Sequence, residues 1–273
     1  MSDFDPAIED FPVIHNRDGL KLFVKVITPT DVPVRGNAYL VHGYGDVHDA
    51  AHMRVATRVC VREGLRVIVW DATHGWAGRS EGVQTEATFY YHAEDLEDVV
   101  EWSRSQAWFE EQFWLLGYSL GGLAAGTYAA AHAKMVRGLM LLAPVVSGGH
   151  LKRRVPWPLR WWWRVRGRVR GIGRWNLPPW SFMDSGWNYD LQRVSRRLIM
   201  PVLVVVGARD IITRPRVLRR LVAGVCSSDK RLIVMEGIGH SFDRPGTMGQ
   251  LDAVLRPWLA TQLEKVLTKT TGM

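Results

Sequence analysis

"FWLLGYSLGGLAAG", residues 113–126, sets an apolar run against a serine flanked by glycines, followed by a stretch of small residues. The apolar run lacks polar alternation, which fits a strand buried on both faces. The small residues after it read as a helix, so Ser119 falls on the turn between the two. A sharp strand-to-helix turn crowds the backbone at its apex, and Gly117 and Gly121, two positions to either side, relieve that crowding. In this context G-x-S-x-G predicts a presented, nucleophilic hydroxyl rather than a passive turn serine.

Working outward, the same grammar repeats. "NAYLVHG" (37–43), "LRVIVWD" (65–71), "VRGLMLLAP" (136–144), "MPVLVVVGARD" (200–210) and "KRLIVMEG" (230–237) are further strand candidates. Helical patterns lie between several of them, over 51–64, 88–105 and 120–133, with a closing helix over 247–267. Strands alternating with helices imply parallel βαβ crossovers. Ahead of them, "FPVIHNRDGLKLFVKVITP" reads as two strands joined at Asp18-Gly19, a hairpin signal. The expected architecture is therefore α/β, a mostly parallel central sheet flanked by helices. The alternation fails once, from about 147 to 197, a stretch too long for a structureless loop and read as an inserted subdomain. The expected organisation is a core of residues 1–146 and 198–273 with an insertion over 147–197.

Sites in parallel sheets form at the carboxyl ends of strands. His42, Asp71, Ser119, Asp210 and His240 fall there, and three of them complete a nucleophile, a base and an orienting acid. A serine hydroxyl needs a base to react at neutral pH, and the base needs a partner that fixes its tautomer. His240 in "EGIGHSFDRPG" supplies the first and Asp210, closing "VLVVVGARD", the second; the order Ser, Asp, His is that of a nucleophile-elbow hydrolase. The bland alternatives are a surface-loop histidine and an aspartate that caps the next helix. "HGYGD" (42–46) follows the first central strand, and its Tyr44 N–H can join the Leu120 N–H to receive a developing oxyanion, with His42 and Gly43 supporting the loop. Neither this loop nor the next is a clean G-x-G-x-x-G, which argues against a dinucleotide site. Asp71 reads as a loop-fixing acceptor, and His48, His52, His74 and His92 as structural or surface residues. None of these histidines has metal-ligand spacing, so no metal and no cofactor is expected.

"HGYGD", "GYSLGG", "GARD" and "GIGHSF" together resemble the α/β-hydrolase fold, and within it the serine hydrolases of the monoacylglycerol lipase and lysophospholipase group. The resemblance spans about 37–146 and 198–262, and "GRSEG" (78–82) fits the loop after the next strand. "DATHGWAGRS" runs two residues longer than the D-x-x-G-H-G-x-S stretch usual in that group. The resemblance implies Ser119 as nucleophile, Asp210 as acid, His240 as base, and the Tyr44 and Leu120 amides as oxyanion donors. It implies a cap formed by the insertion, and hydrolysis of a lipid-like ester such as a monoacylglycerol or lysophospholipid in lipid metabolism. Acyl transfer or peptide cleavage by the same three residues stays open, as does a non-catalytic lipid- or nucleic-acid-binding protein on a hydrolase scaffold.

The formal charge of +8 is concentrated in one place. Between His150 and Trp180 lie nine basic residues and no acid; the rest of the chain holds 26 basic and 27 acidic residues. That segment, "HLKRRVPWPLRWWWRVRGRVRGIGRWNLPPW", also holds Trp157, Trp161, Trp162, Trp163, Trp175 and Trp180. Tryptophan beside arginine suits a water–lipid boundary, so the first four are expected to serve substrate or membrane contact at an anionic surface. A cap whose tryptophans pack on the body is the bland reading, and single-stranded nucleic acid is a third partner for such a segment. Two cysteines, Cys60 and Cys226, make no disulfide framework. No apolar run reaches the roughly 18 residues of a spanning helix, and "MSDFDPAIEDF" has no charged n-region with an apolar h-region. The expected location is cytoplasmic, with peripheral membrane contact.

Overall fold

A computed structural model of the chain describes residues 7–75, 77–166 and 178–271. The Val/Ile/Leu runs do form strands, most of them buried on both faces, with the last, Lys230–Met235, only partly buried. β1 (Ala7–Asp10), β2 (Val13–His15) and β3 (Lys21–Pro29) precede β4 (Gly36–Val41), α1 (Ala51–Arg62), β5 (Leu65–Trp70) and α2 (Tyr91–Ser103). Then come β6 (Phe113–Tyr118), α3 (Leu120–Ala131) and β7 (Val136–Leu142). After an insertion, β8 (Val202–Gly207), α8 (Pro215–Gly224), β9 (Lys230–Met235) and α9 (Thr247–Thr271) complete the order. Across the sheet the strands run β1-β3-β5-β4-β6-β7-β8-β9, with β2 paired to β3. The strands from β5 across to β9 pair in parallel, and β3 joins β5 antiparallel.

Two details differ from the sequence expectation. The β2–β3 hairpin turns over Asn16–Leu20 rather than at a two-residue Asp-Gly loop, because the Asn16 side chain accepts the N–H groups of Asp18 and Leu20. β1, whose "AIED" carries no strand signal, is recruited by the second half of the nine-residue β3, pairing from Ala7↔Pro29 to Asp10↔Val26.

Successive side chains of a buried strand feed two different cores. In β4, Tyr39 and Val41 pack with β6, α2 and α3 on one side, whereas Ala38 and Leu40 pack with α1 and α9 on the other. Each fully buried aliphatic of this kind contributes about 2 kcal/mol. That packing fixes the strand ends from which the site loops emerge.

Between β7 and β8 lie α4 (Gly148–Arg154), α5 (Trp157–Arg166), α6 (Trp180–Ser185) and the single turn α7 (Leu191–Val194). Arg168, Arg170, Arg174 and Trp175 lie outside the described residues. An antiparallel bridge between Ser147 and Asp190 clasps the two ends of this segment, reinforced by Gly148 N–H to Tyr189 O and Leu191 N–H to Val146 O.

Candidate active site

Ser119 sits between β6 and α3 at φ 52°, ψ −114°, a left-handed conformation that costs a non-glycine residue about 1–3 kcal/mol. The neighbouring glycines hold it there by contact. A Cβ on Gly117 would lie 2.3 Å from Gly121 O, and one on Gly121 would lie 2.2 Å from His42 O and 2.4 Å from Val41 O. No side chain fits between these backbones, so the turn closes only with glycine at both positions.

Ser119 Oγ lies 2.9 Å from His240 Nε2. On the far side of the imidazole, His240 Nδ1 lies 2.7 Å from Asp210 Oδ2. The three residues come from the turns after β6, β8 and β9, at one end of the sheet. Asp210 is buried, and burial alone pushes its carboxyl up. The hydrogen bonds from His240 and Thr213 outweigh that and hold its pKa below the usual carboxylate value. An ionised Asp210 places the imidazole proton on Nδ1 and leaves Nε2 free to accept from the serine hydroxyl.

Asp210 does not cap α8, which begins at Pro215. Its Oδ1 instead accepts the backbone N–H groups of Ile212 (2.8 Å) and Thr213 (2.7 Å), and its Oδ2 accepts the Thr213 hydroxyl at 2.7 Å. The Thr213 Oγ1 also stands 3.5 Å from His240 Nδ1. Thr213 is absent from the sequence reading; the signal was present as a threonine three residues after the aspartate, the spacing of a side-chain-closed turn. Tyr118 is another omission. Its hydroxyl donates to His240 O at 3.3 Å and so ties the His240 loop to the strand that leads into Ser119.

The loop after β4 packs directly behind Ser119. A Cβ on Gly43 would stand 2.9 Å from the Tyr118 ring and 3.0 Å from Ser119 Cβ. His42 is buried and bridges this loop to the end of β5, with Nδ1 donating to Gly43 O (2.8 Å) and Nε2 accepting Ala72 N–H (2.9 Å). Burial lowers its pKa, which keeps the ring neutral and suited to both bonds. The His92 ring stands edge-on to His42 at 5.1 Å, and burial holds its pKa well below the ordinary histidine value. The Tyr44 hydroxyl accepts from Gln84 Nε2 at 3.0 Å, and its ring packs on Phe182 of α6 at 4.7 Å. Leu120 is the first residue of α3, so its N–H has no acceptor within the helix and points along the free end of the helix dipole.

Asp71 stands apart from this chain. It accepts His48 N–H (2.9 Å), His48 Nδ1–H (2.7 Å) and Arg79 N–H (2.9 Å), which fixes the loops flanking β5. His52 meets Asp46 at 3.0 Å, and His74 Nδ1 receives Val83 N–H at 3.1 Å. Of the inserted tryptophans, Trp163 is buried, with its indole N–H donated to Pro178 O at 3.1 Å. Trp157, Trp161 and Trp162 are exposed. Among the described residues no cluster of three or more His, Cys, Asp or Glu is arranged to hold a metal ion, and no helix is long and apolar enough to cross a membrane.

Residues 32–178 match the family described as "Serine aminopeptidase, S33" (Hydrolase_4). Human monoglyceride lipase is 29% identical over 139 residues, and the mouse monoglyceride lipase is 27% identical over the same length. The chain thus spans under half the length of these relatives, since the aligned stretch is 50% of this chain and 44% of theirs. Among solved structures, Est1E from Butyrivibrio proteoclasticus with bound ferulic acid superposes with a TM-score of 0.80 at 16% identity, covering 93% of this chain and 99% of that one. A monoacylglycerol lipase from Paleococcus ferrophilus gives 0.69 at 21% identity, over 88% and 99% of the two chains. These likenesses establish the α/β-hydrolase fold. With more than half of its length matched by the family and a mostly parallel sheet of the corresponding architecture, the chain belongs to the Hydrolase_4 (serine aminopeptidase, S33) family of α/β-hydrolases.

Proposed function

We propose that this hydrolase cleaves carboxylic esters through an acyl-enzyme formed on Ser119, with a lipid-like ester such as a monoacylglycerol or lysophospholipid as substrate. The observation that carries the reading is the unbroken chain Ser119 Oγ–His240 Nε2–His240 Nδ1–Asp210 Oδ2, at 2.9 and 2.7 Å. His240 takes the hydroxyl proton as Ser119 attacks the carbonyl carbon, and Asp210 stabilises the resulting imidazolium. The Leu120 and Tyr44 N–H groups receive the oxyanion; each such donor supplies about 3 kcal/mol in the transition state. His240 then protonates the departing alcohol, and a water molecule repeats the sequence to release the acid.

Three features support a lipid-like ester. The relatives aligned over half of the chain are monoglyceride lipases. Tyr44 packs with Phe182, and Phe182 with Phe89 and Tyr91, in a buried aromatic cluster that makes the surroundings of the oxyanion loop apolar. The segment 147–197 acts as a cap in this proposal: α6 reaches Tyr44 through Phe182, and Arg154 of α4 donates to Ile211 O and Ile212 O of the acid's loop.

The test is a substrate panel of p-nitrophenyl esters from acetyl to palmitoyl, with monoacylglycerols, lysophospholipids and aminoacyl amides, alongside fluorophosphonate labelling. Labelling at Ser119 and turnover of medium- or long-chain esters are expected. Ser119→Ala should abolish labelling and lower kcat by about 10^5-fold or more. Turnover of aminoacyl amides alone would transfer the assignment to the peptidase reading that the family's description carries. An Ser119→Ala protein with undiminished function would refute catalysis altogether.

A further inference from the structure

We infer that the outer face of α5 is a docking surface for the anionic headgroups of a phospholipid bilayer. α5 carries three large apolar side chains on its outer side that the described residues leave uncovered: Trp157 is 73% exposed, Trp161 64% and Val165 64%. Trp157, Trp161 and Val165 recur every four residues, so they form one stripe along the helix. Arg160 and Arg164 flank the stripe at helical spacing, and the Arg166 guanidinium lies 5.8 Å from the centre of the neighbouring Trp162 ring. Trp163 faces the other way. Buried and bonded to Pro178 O, with its ring 5.8 Å from Trp180, it anchors α5 and fixes which side faces outward.

Alongside this stripe runs an open groove of about 500 Å³, walled by Trp157, Trp161 and Trp187 and reached by Arg160 and Arg164. Lys152 and Asp184 border it too and pair with each other at 2.5 Å, so their charges offset and the net charge left in the groove is that of the two arginines. The groove therefore offers guanidinium donors between indole walls, a combination that suits a phosphodiester at the depth where indoles prefer to sit.

The occupant follows from charge and from the aliphatic end of the stripe. A second copy of this face would bring Arg160, Arg164 and Arg166 against their own counterparts, and from His150 to Trp180 the sequence offers no acid to offset them. Single-stranded nucleic acid would use the indoles and guanidinium groups but leave Val165, at the end of the stripe, in water. A bilayer surface uses all of them, with phosphates at the arginines and acyl carbons below the tryptophans. The same insertion contacts Tyr44 and the Asp210 loop, so docking would bring the candidate site to the lipid.

The experiment is co-sedimentation of the full-length Ser119→Ala protein with phosphatidylcholine vesicles, with and without phosphatidylglycerol, at low and physiological salt. The inactive variant leaves the vesicles intact, and because binding is read without turnover, its outcome is independent of the hydrolase reading. Expected is binding about tenfold or more tighter with phosphatidylglycerol, weakening as salt rises. Combining Arg160→Gln, Arg164→Gln and Arg166→Gln should weaken it about 100-fold, at roughly fivefold per charge. Trp157→Ala with Trp161→Ala should weaken it about tenfold without altering the salt dependence. Equal binding to neutral and anionic vesicles, or full binding by the arginine variant, overturns the proposal. So does capture by polyuridylate without capture by vesicles, or a tryptophan-dependent dimer in lipid-free solution.

Discussion

At the Gly117–Gly121 turn a single methyl group has no room, with backbone oxygens as close as 2.2 Å to where it would stand; at Trp157 an entire indole projects into open space. The two regions belong to one chain and, in the reading above, to one activity, yet they hold their shapes by different means. The turn is determined by its neighbours: β4, β6 and α3 approach until only glycine and one backbone conformation fit. The outer face of α5 is fixed at one internal point, Trp163, and everything else about it is composition. Chemistry that needs atoms placed to a few tenths of an ångström uses the first kind of region, and contact with a fluid, variable surface needs only the second.

That comparison breaks or sharpens under substitution. The largest effect is expected at the acid. Asp210→Asn removes the charge that fixes the His240 tautomer while keeping the shape, and kcat should fall by about 10^4-fold with KM little changed in steady-state assays. Next is Gly121→Ala, which should cost about 4 kcal/mol or more because backbone atoms of Val41 and His42 cannot yield. A melting temperature near the parent's would show that the turn is less constrained than these contacts require. Within α5 the two kinds of region meet six residues apart. Trp163→Ala should cost about 3 kcal/mol in denaturant melts, whereas Trp157→Ala should stay within about 0.5 kcal/mol. Equal losses would erase the distinction between the anchored and the outer side of the helix.

A last effect, read against pH, concerns charge under the site loops. Burial raises the Asp95 carboxyl from 3.8 to about 7, with Glu94 and Asp98 adding to the shift, while the bonds it accepts from Thr73 pull the other way. A raised pKa means that the folded state holds a proton the unfolded state has released. Ionisation therefore removes stability as pH rises from 3.8 through about 7. Relative to Asp95→Asn, the parent protein should lose on the order of 4 kcal/mol across that window. A flat difference between the two melting curves would place Asp95 in a wetter setting than the loop geometry gives it.

Much of the sheet was legible because its strands are buried on both faces and so appear as unbroken runs such as "LVVV" and "LMLL". The elbow was legible because close approach demands glycine at fixed spacing. β1 was not, since "AIED" becomes a strand only through the length of its partner β3. The helices α4–α7 were not either: each spans ten residues or fewer, and only the absence of strand patterns marked the segment. In the site, Ser119, Asp210 and His240 stood out by residue type at strand ends. Thr213 and the hydroxyl of Tyr118 did not, because their contribution depends on where a side chain already expected to be polar happens to point. The Trp/Arg composition announced an unusual surface but not that Trp163 is turned inward, which only the packing against Pro178 and Trp180 decides.

Tyr44 belongs to two structures at once: its backbone lies in the loop packed behind Ser119, and its ring and hydroxyl lie against Phe182 and Gln84. A drift in the helices between β7 and β8 is thereby passed to main chain that no side-chain replacement can delete. Under the function proposed above, substrate selectivity in that segment and reactivity at Ser119 would be inherited as a linked pair.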